Sequence, residues 1–349
     1  MKILISEENF IHNINFLKKK YNKNILPVIK ANAYGHGSEI IVKILIKYGI
    51  NQCVVARISE AMELLNNIDI PEEFKIIILE TIEKEDLKEV LKYPQLIVTA
   101  NSEKDLLNFL ENGISSKKIQ LKIDLGFGRN GIVLDDIYKI KKIILENNLK
   151  FSGIFSHLFS VDYSTGIKLI EKFNEVLIEL GRENFKMVHL QNSLAISNYG
   201  SLPFVTHLRP GMFIYGFFED GAYEENLKKV ISLNGEIITI KNIENLEYLA
   251  YLKKEELKNK FLKNIAFIKI GYGDGFLKNN EGDFILINNK PYKIVLITMD
   301  NTFIDVNDEV KVGDKVEIYS DLYFSKKWLN MNICEYLPIL SKRIIREIK

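Results

Sequence analysis

"PVIKANAYGHG", Pro27 to Gly37, starts as an apolar strand-like run and breaks into small residues and glycines directly after a lysine, Lys30. The next stretch, "SEIIVKILIKYGI", carries apolar residues near i, i+3, i+4 and i+7, so the whole reads as a strand, a polar strand end and a helix. The unit recurs. Apolar runs "ILPVIK" from 25, "CVVA" from 53, "KIIILE" from 75, "LIVTA" from 96, "QLKIDLG" from 120, "FSGIFSHL" from 151, "MVHLQNS" from 187 and "LRPGMFIYG" from 208 give eight candidate strands before residue 217. Amphipathic segments such as "EKDLLNFLENG" and "DDIYKIKKIILENN" lie between them. This α/β alternation predicts a TIM (β/α)8 barrel over residues 1–220, its strands apolar because both faces are covered. After about residue 220 the rhythm becomes all-β: "ISLNGEIITI", "IAFIKIG", "DFILIN", "PYKIVLITM" and "DKVEIYS" are strands parted by turn residues such as Asn288-Asn289 and Gly313-Asp314. A C-terminal all-β domain over 221–349 follows, with the first few residues as candidates to pair with it. The charged stretch "YLKKEELKNKFLKN", 251–264, reads as a solvated helix or loop.

Lys plus Arg (47) nearly cancels Asp plus Glu (46), so no global field invites nucleic acid or a membrane surface, and a small-molecule substrate is the better expectation. Cys53 and Cys334 stand far apart without metal-ligand spacing, which argues against a disulfide framework and a zinc site. With no apolar leader at the start and no long apolar run, the expectation is a cytoplasmic protein with no metal.

Polar residues at the C-terminal strand ends are expected to converge in the barrel mouth: Lys30, Asp124 with Arg129, His157, Asn192 with Ser193, and Arg209. A lysine tucked against an apolar strand loses hydration, which favours its nucleophilic neutral amine and makes imine chemistry plausible; the alternative is a side chain that snorkels to solvent. "HLQNSLA" and "RPGMF" offer a hydroxyl and turn amides suited to a phosphate. "GFGRNG", 126–131, has G-x-G-x-x-G spacing but lies in the fifth βα unit rather than the first, against a dinucleotide reading.

"VIKANAYGHG" resembles the pyridoxal-phosphate lysine motif of the alanine racemase family, fold-type III enzymes with a barrel and a β-domain. The likeness continues in order through "LKIDLGFGRNG", "FSGIFSHLFSVD", "VHLQNSLA", "LRPGMFIYG", "IGYGDGF" and "ITMDNTFIDV". It implies a pyridoxal 5'-phosphate enzyme that interconverts L- and D-alanine for the cell wall by two-base proton transfer. Lys30 would be the cofactor lysine and one base, and Tyr272 the opposing acid/base. Arg209 would hydrogen-bond the pyridine nitrogen. His157 would stand beside the ring and link Arg209 with Tyr272. Tyr34, Ser193, Gly211 and Met212 would cradle the phosphate. Arg129 and the Met299 amide would take the substrate carboxylate, with Asp300 and Lys122 in support; some members carry the latter as a carbamate. Tyr272 and Met299 would come from a partner subunit, so the resemblance implies a homodimer with composite sites.

The chain departs from the family pattern at Thr298 in place of a cysteine, Leu296 in place of an arginine, Leu125 in place of a threonine, and Ile348 or thereabouts in place of a phosphate-contacting tyrosine. An altered entrance leaves open a racemase of serine, lysine or a broader amino-acid set. A non-catalytic pyridoxal-phosphate-binding or regulatory protein is the rival of another class.

Overall fold

The structure, a computed structural model, describes residues 1–159, 162–218, 224–261, 263–318 and 333–349. It divides into two compact units: Glu8–Lys228, and Met1–Glu7 together with Lys229–Lys349.

In Glu8–Lys228, the strands Gln52–Val55, Lys75–Ile78, Leu96–Ala100, Ile119–Ile123, Phe151–Ser156 and Phe185–His189 form a parallel sheet in that order. A further parallel pair, Asn24–Ile25 with His207–Leu208, closes the circle. On one side Ile29 N donates to Val54 O (2.8 Å); on the other Thr206 N donates to Val188 O (2.8 Å) and Arg209 N to Gln191 O (3.0 Å). The result is the expected (β/α)8 barrel. Every residue of Leu96–Ala100 and of Phe151–Ser156 is buried, as strands covered on both faces require. Gly153 marks a tight point in that wall, since a Cβ there would stand 2.9 Å from Met187 O.

Two of the expected strands are shorter than their apolar runs. The "LRPGMFIYG" run is strand only at His207–Leu208; Pro210 has no N–H to donate, and the chain turns into a single 3₁₀ turn, Met212–Tyr215. In "ILPVIK" the ladder stops at Ile29, and Lys30 begins a turn.

The second unit is a nine-stranded sheet, in spatial order Thr239–Asn242, Asn264–Ile268, Thr302–Val306, Lys290–Ile297, Phe284–Ile287, Lys315–Glu317, Ile231–Glu236, Lys2–Ile5 and Ile345–Ile348. Asn288 and Asn289 join one hairpin with φ of 48° and 64°, the left-handed pair that a two-residue hairpin turn demands. Lys2–Ile5 runs antiparallel to Ile231–Glu236 and parallel to Ile345–Ile348. Lys2–Ile5 is the pairing for which the first residues were candidates, whereas Thr302–Val306 and Ile345–Ile348 lie outside the strand set expected from the sequence. In "DKVEIYS" the strand covers Lys315–Glu317, and Tyr319 and Ser320 lie outside the described residues.

The stretch 251–264 needs correction. Its helix, Lys254–Lys260, is more than a solvated face: Leu257 is fully buried and packs with Ile243, Leu249, Phe261, Ile265 and Phe303. One apolar position among charges is enough to dock a two-turn helix.

Asn13, fully buried on the helix Glu7–Tyr21, ties the end of the barrel unit to its beginning. Its Nδ2 donates to Ile214 O (3.1 Å) and Lys228 O (2.7 Å), and its Oδ1 accepts from Lys228 N (2.8 Å). Asn13→Ala strips a partner from all three backbone groups, and urea unfolding is expected to show a loss of about 2–4 kcal/mol.

Candidate functional site

The site is built on the break after Lys30. Ala31, Asn32, Ala33 and Tyr34 have φ between 51° and 54°, four successive non-glycine residues in the left-handed region. That conformation costs roughly 1–2 kcal/mol per residue, so the surroundings must hold it. They do so through polar groups: His36 Nδ1 contacts Ala33 O (2.9 Å) and Tyr34 O (3.1 Å), and Asn32 Oδ1 accepts from Ser38 N (2.9 Å). The tight turn brings Lys30 Nζ to 5.8 Å from the centre of the Tyr34 ring.

The remaining phosphate-type groups meet at Tyr34. A Cβ on Gly211 would stand 2.5 Å from the Tyr34 hydroxyl, so only glycine permits this approach. Ser193 Oγ accepts from Gly211 N (3.1 Å) and Phe213 N (3.3 Å), so two amides of the "RPGMF" turn converge on the hydroxyl. Met212 opens the 3₁₀ turn, where an amide has no acceptor within the turn itself. Asn192, grouped with Ser193 in the sequence, is instead the helix cap, accepting from Ala195 N (2.9 Å).

Beside this cradle lies a concentration of positive charge. Burial drives His157 down to about 3, helped by the charges of Arg209, Arg129, Lys30 and Lys122, so four cations surround one neutral imidazole. Burial also lowers Lys122 to about 8, with Arg129 and Arg209 adding to the effect. Arg209 is buried and pulled down to about 10 by desolvation, still protonated at neutral pH. It donates through Nη2 to Ser156 O (3.0 Å) and through Nη1 to His189 Nδ1 (2.6 Å). With Nδ1 accepting, the neutral His189 carries its proton on Nε2 and donates to Gln120 Oε1 (2.8 Å). The histidine hydrogen-bonded to Arg209 is thus His189, whereas His157 packs edge-on against Phe127, their ring centres 5.3 Å apart. His189 and Gln120 escaped the sequence reading, although a polar residue inside a buried strand was the available signal.

Arg129 rides on the "GFGRNG" loop, its guanidinium 4.8 Å from the Phe127 ring centre. Asp124 Oδ1 accepts from Gly126 N (2.9 Å) and Phe127 N (2.8 Å). A carboxylate therefore fills the place that a dinucleotide phosphate would need, and the loop presents an arginine instead. Leu125 is buried.

In the second unit, Tyr272 projects from the turn Tyr272–Asp274, about one-third exposed (38%). Tyr272 N donates to Thr298 O (3.0 Å) and Gly273 N to Met299 O (2.9 Å), so the "GYGD" and "TMD" segments are one structure. Gly271 allows the contact, since a Cβ there would lie 2.2 Å from Thr298 O. Arg343, not singled out from the sequence, clamps the group, donating to Asp274 Oδ1 (2.6 Å) and Asp300 Oδ1 (2.7 Å). Met299 is exposed beside it. Leu296 packs against the apolar cluster of Leu257 and Phe303. Ile348 stands in the edge strand, in register with Ile5.

The depressed histidines contribute to the acid response. His157 at about 3 and His207 at about 4 both fall below their ordinary 6.5, so an unfolded chain takes up protons that the folded one refuses. Stability is complete above pH 6.5 and falls as the pH drops toward 4, by about 2 kcal/mol per histidine at pH 5. Urea unfolding at pH 7 and pH 5 is expected to show a smaller difference in His157→Gln than in the wild type.

The family models "Alanine racemase, N-terminal domain" and "Alanine racemase, C-terminal domain" match residues 5–219 and 230–348. An alanine racemase of Borreliella burgdorferi is 35% identical over 337 residues, covering 91% of this chain and 88% of the relative. A crystal structure of alanine racemase from E. faecalis superposes with a TM-score of 0.84 at 26% identity, covering 100% of this chain and 98% of that one. Another, from Bartonella henselae and described with covalently bound pyridoxal phosphate, shares the fold at a TM-score of 0.78 and 23% identity, covering 100% and 99%. With both of its units matched, and with the motifs brought together as described, this chain belongs to the alanine racemase family.

Proposed function

We propose that this chain is a pyridoxal-phosphate-dependent racemase that interconverts L- and D-alanine. The observation that carries the reading is the gathering of Lys30, Tyr34, Ser193, Gly211 and Arg209 at one end of the barrel of a chain in this family. The donor set suits the cofactor. Amides converging on Ser193, a hydroxyl against a Cβ-less Gly211 and surrounding cations fit a phosphate, while the spare N–H groups of a permanently charged Arg209 fit an aromatic nitrogen acceptor. When bound, pyridoxal phosphate would supply a carbonyl carbon for the substrate amine and an electron sink that acidifies its α-proton.

Tyr34, Ser193 and the amides of Gly211 and Met212 would hold the phosphate, which would replace Ser193 Oγ as the acceptor of the Gly211 N–H. Arg209, itself fixed by His189 and Ser156, would be the charged donor for the ring nitrogen, and its positive charge would keep that nitrogen unprotonated. His157, neutral among the cations, would lie beside the ring. Lys30 Nζ takes or returns a proton on one face of the α-carbon, and the Tyr272 hydroxyl serves the other. Arg129 and the Met299 amide receive the carboxylate. The lowered affinity of Lys122 for protons leaves some free amine at neutral pH and supports carbamate formation there, orienting Arg129. Asp300, clamped by Arg343, steadies the Met299 segment.

Tyr272 and Met299 lie exposed on the second unit, which supports a homodimer in which Tyr272 of the partner subunit completes each site. D-alanine for peptidoglycan is the product we assign, made in the cytoplasm, in keeping with a buried free Cys53.

Purified protein is expected to show a visible cofactor band and to abolish the optical rotation of L-alanine. Lys30→Ala loses the band. Both Lys30→Ala and Tyr272→Phe lose roughly 10²–10⁴-fold of racemisation. Full racemisation by Lys30→Ala overturns the assigned roles, and comparable turnover of serine or lysine overturns the restriction to alanine.

A further inference from the structure

In a parallel ladder, donors alternate between strands. Val54 N donates to Pro27 O (2.8 Å) and Ile29 N to Val54 O (2.8 Å), so the next donors in the series are Ala56 N and Ala31 N. Both turn instead to one side chain. Ala31 N donates to Glu60 Oε1 (2.5 Å) and Ala56 N to Glu60 Oε2 (2.8 Å), which also accepts from Arg57 N (3.1 Å). The carbonyl that would have met Ala31, Ala56 O, is taken by Glu80 N (3.0 Å). One carboxylate thus occupies two rungs of the first barrel seam, at the residue following Lys30.

We propose that Glu60 is a positioning residue for Lys30: it ends the ladder beside the lysine and braces the left-handed turn that follows. The inference rests on the reading of Lys30 given above. If these amides found carbonyl partners across the seam, residues 30 and 31 would stay extended and the turn from Ala31 to Tyr34 would have no start. That turn sets both the lysine and the Tyr34 ring 5.8 Å from its amine, so the brace acts on two site groups together. Glu60 suits the task because it lies in the first turn of the helix Ile58–Asn67, which fixes its own backbone. A carboxylate can accept on both oxygens. The isosteric amide cannot, because its NH₂ faces a donor.

The test compares wild-type holoenzyme with Glu60→Gln and Glu60→Ala. Three readouts are taken: amide hydrogen exchange over residues 30–35, the pH midpoint of the visible cofactor band, and kcat and KM for L-alanine. The expected result is quicker exchange confined to this segment, a displaced midpoint, and kcat lower by about 10–10²-fold at little-changed KM, as for a misplaced group. Glu60→Gln, retaining one acceptor, is expected to fall between wild type and Glu60→Ala, and it carries the comparison if Glu60→Ala does not fold. Quicker exchange with wild-type kcat and midpoint reduces Glu60 to a structural tie and overturns the proposal, as does unchanged exchange. Full racemisation by Lys30→Ala, measured in parallel, would instead overturn the functional reading, so the two failures are distinguishable.

Discussion

The left-handed turn from Ala31 to Tyr34 is the constraint around which the barrel mouth is arranged. A strand continuing in extended form would send alternate side chains to opposite faces of the barrel wall. The turn brings Lys30 and Tyr34 to the same place. Such a backbone is unfavourable for alanine and tyrosine, and it persists because Glu60 takes the Ala31 N–H, the His36 ring meets the Ala33 and Tyr34 carbonyls, and the Asn32 side chain anchors the turn on Ser38 N. Gly211 has no side chain for a related reason, since the Tyr34 hydroxyl occupies the space of its missing Cβ.

Electrostatics complete what the backbone begins. Lys30, Lys122, Arg129 and Arg209 surround His157, while the carboxylate of Asp124 is engaged with the amides of its own loop. Such an excess of positive charge suits anionic partners, and a phosphate and a substrate carboxylate are two. The orientation of Arg209 is set from behind by the Gln120–His189 pair, which ties its guanidinium to the strands Ile119–Ile123 and Phe185–His189. In the other unit, Arg343 does comparable work with Asp274 and Asp300, holding the Tyr272 turn against the Met299 segment.

Much of this was legible from residue order. Lys30, Arg129, His157, Ser193 and Arg209 were found by asking which polar residues follow apolar runs, and the family resemblance supplied Tyr34, Gly211, Met212, Tyr272 and Met299. Residues that act on other residues were missed. His189 and Gln120 sit inside strands whose apolar neighbours dominate the pattern, and Glu60 looks like any acidic residue in the first turn of a helix. Leu257 was hidden among lysines and glutamates, because a two-turn helix needs only one buried side chain and shows no periodicity. The strand Ile345–Ile348 was missed because it pairs with the other end of the chain, a contact that no local pattern encodes.

By itself, the sequence determined the alternation of strands and helices, the barrel followed by a β-domain, and the polar residues at the strand ends, because hydrophobic period and turn chemistry act over a few residues. Only the tertiary structure decided which hydrogen bonds those groups make: that Arg209 leans on His189, that Asp124 fills its own loop, and that Glu60 takes two rungs of a ladder. The reason is physical. A polar group's partner is whatever acceptor or donor the fold leaves within about 3 Å, and that depends on strands brought together from distant parts of the chain.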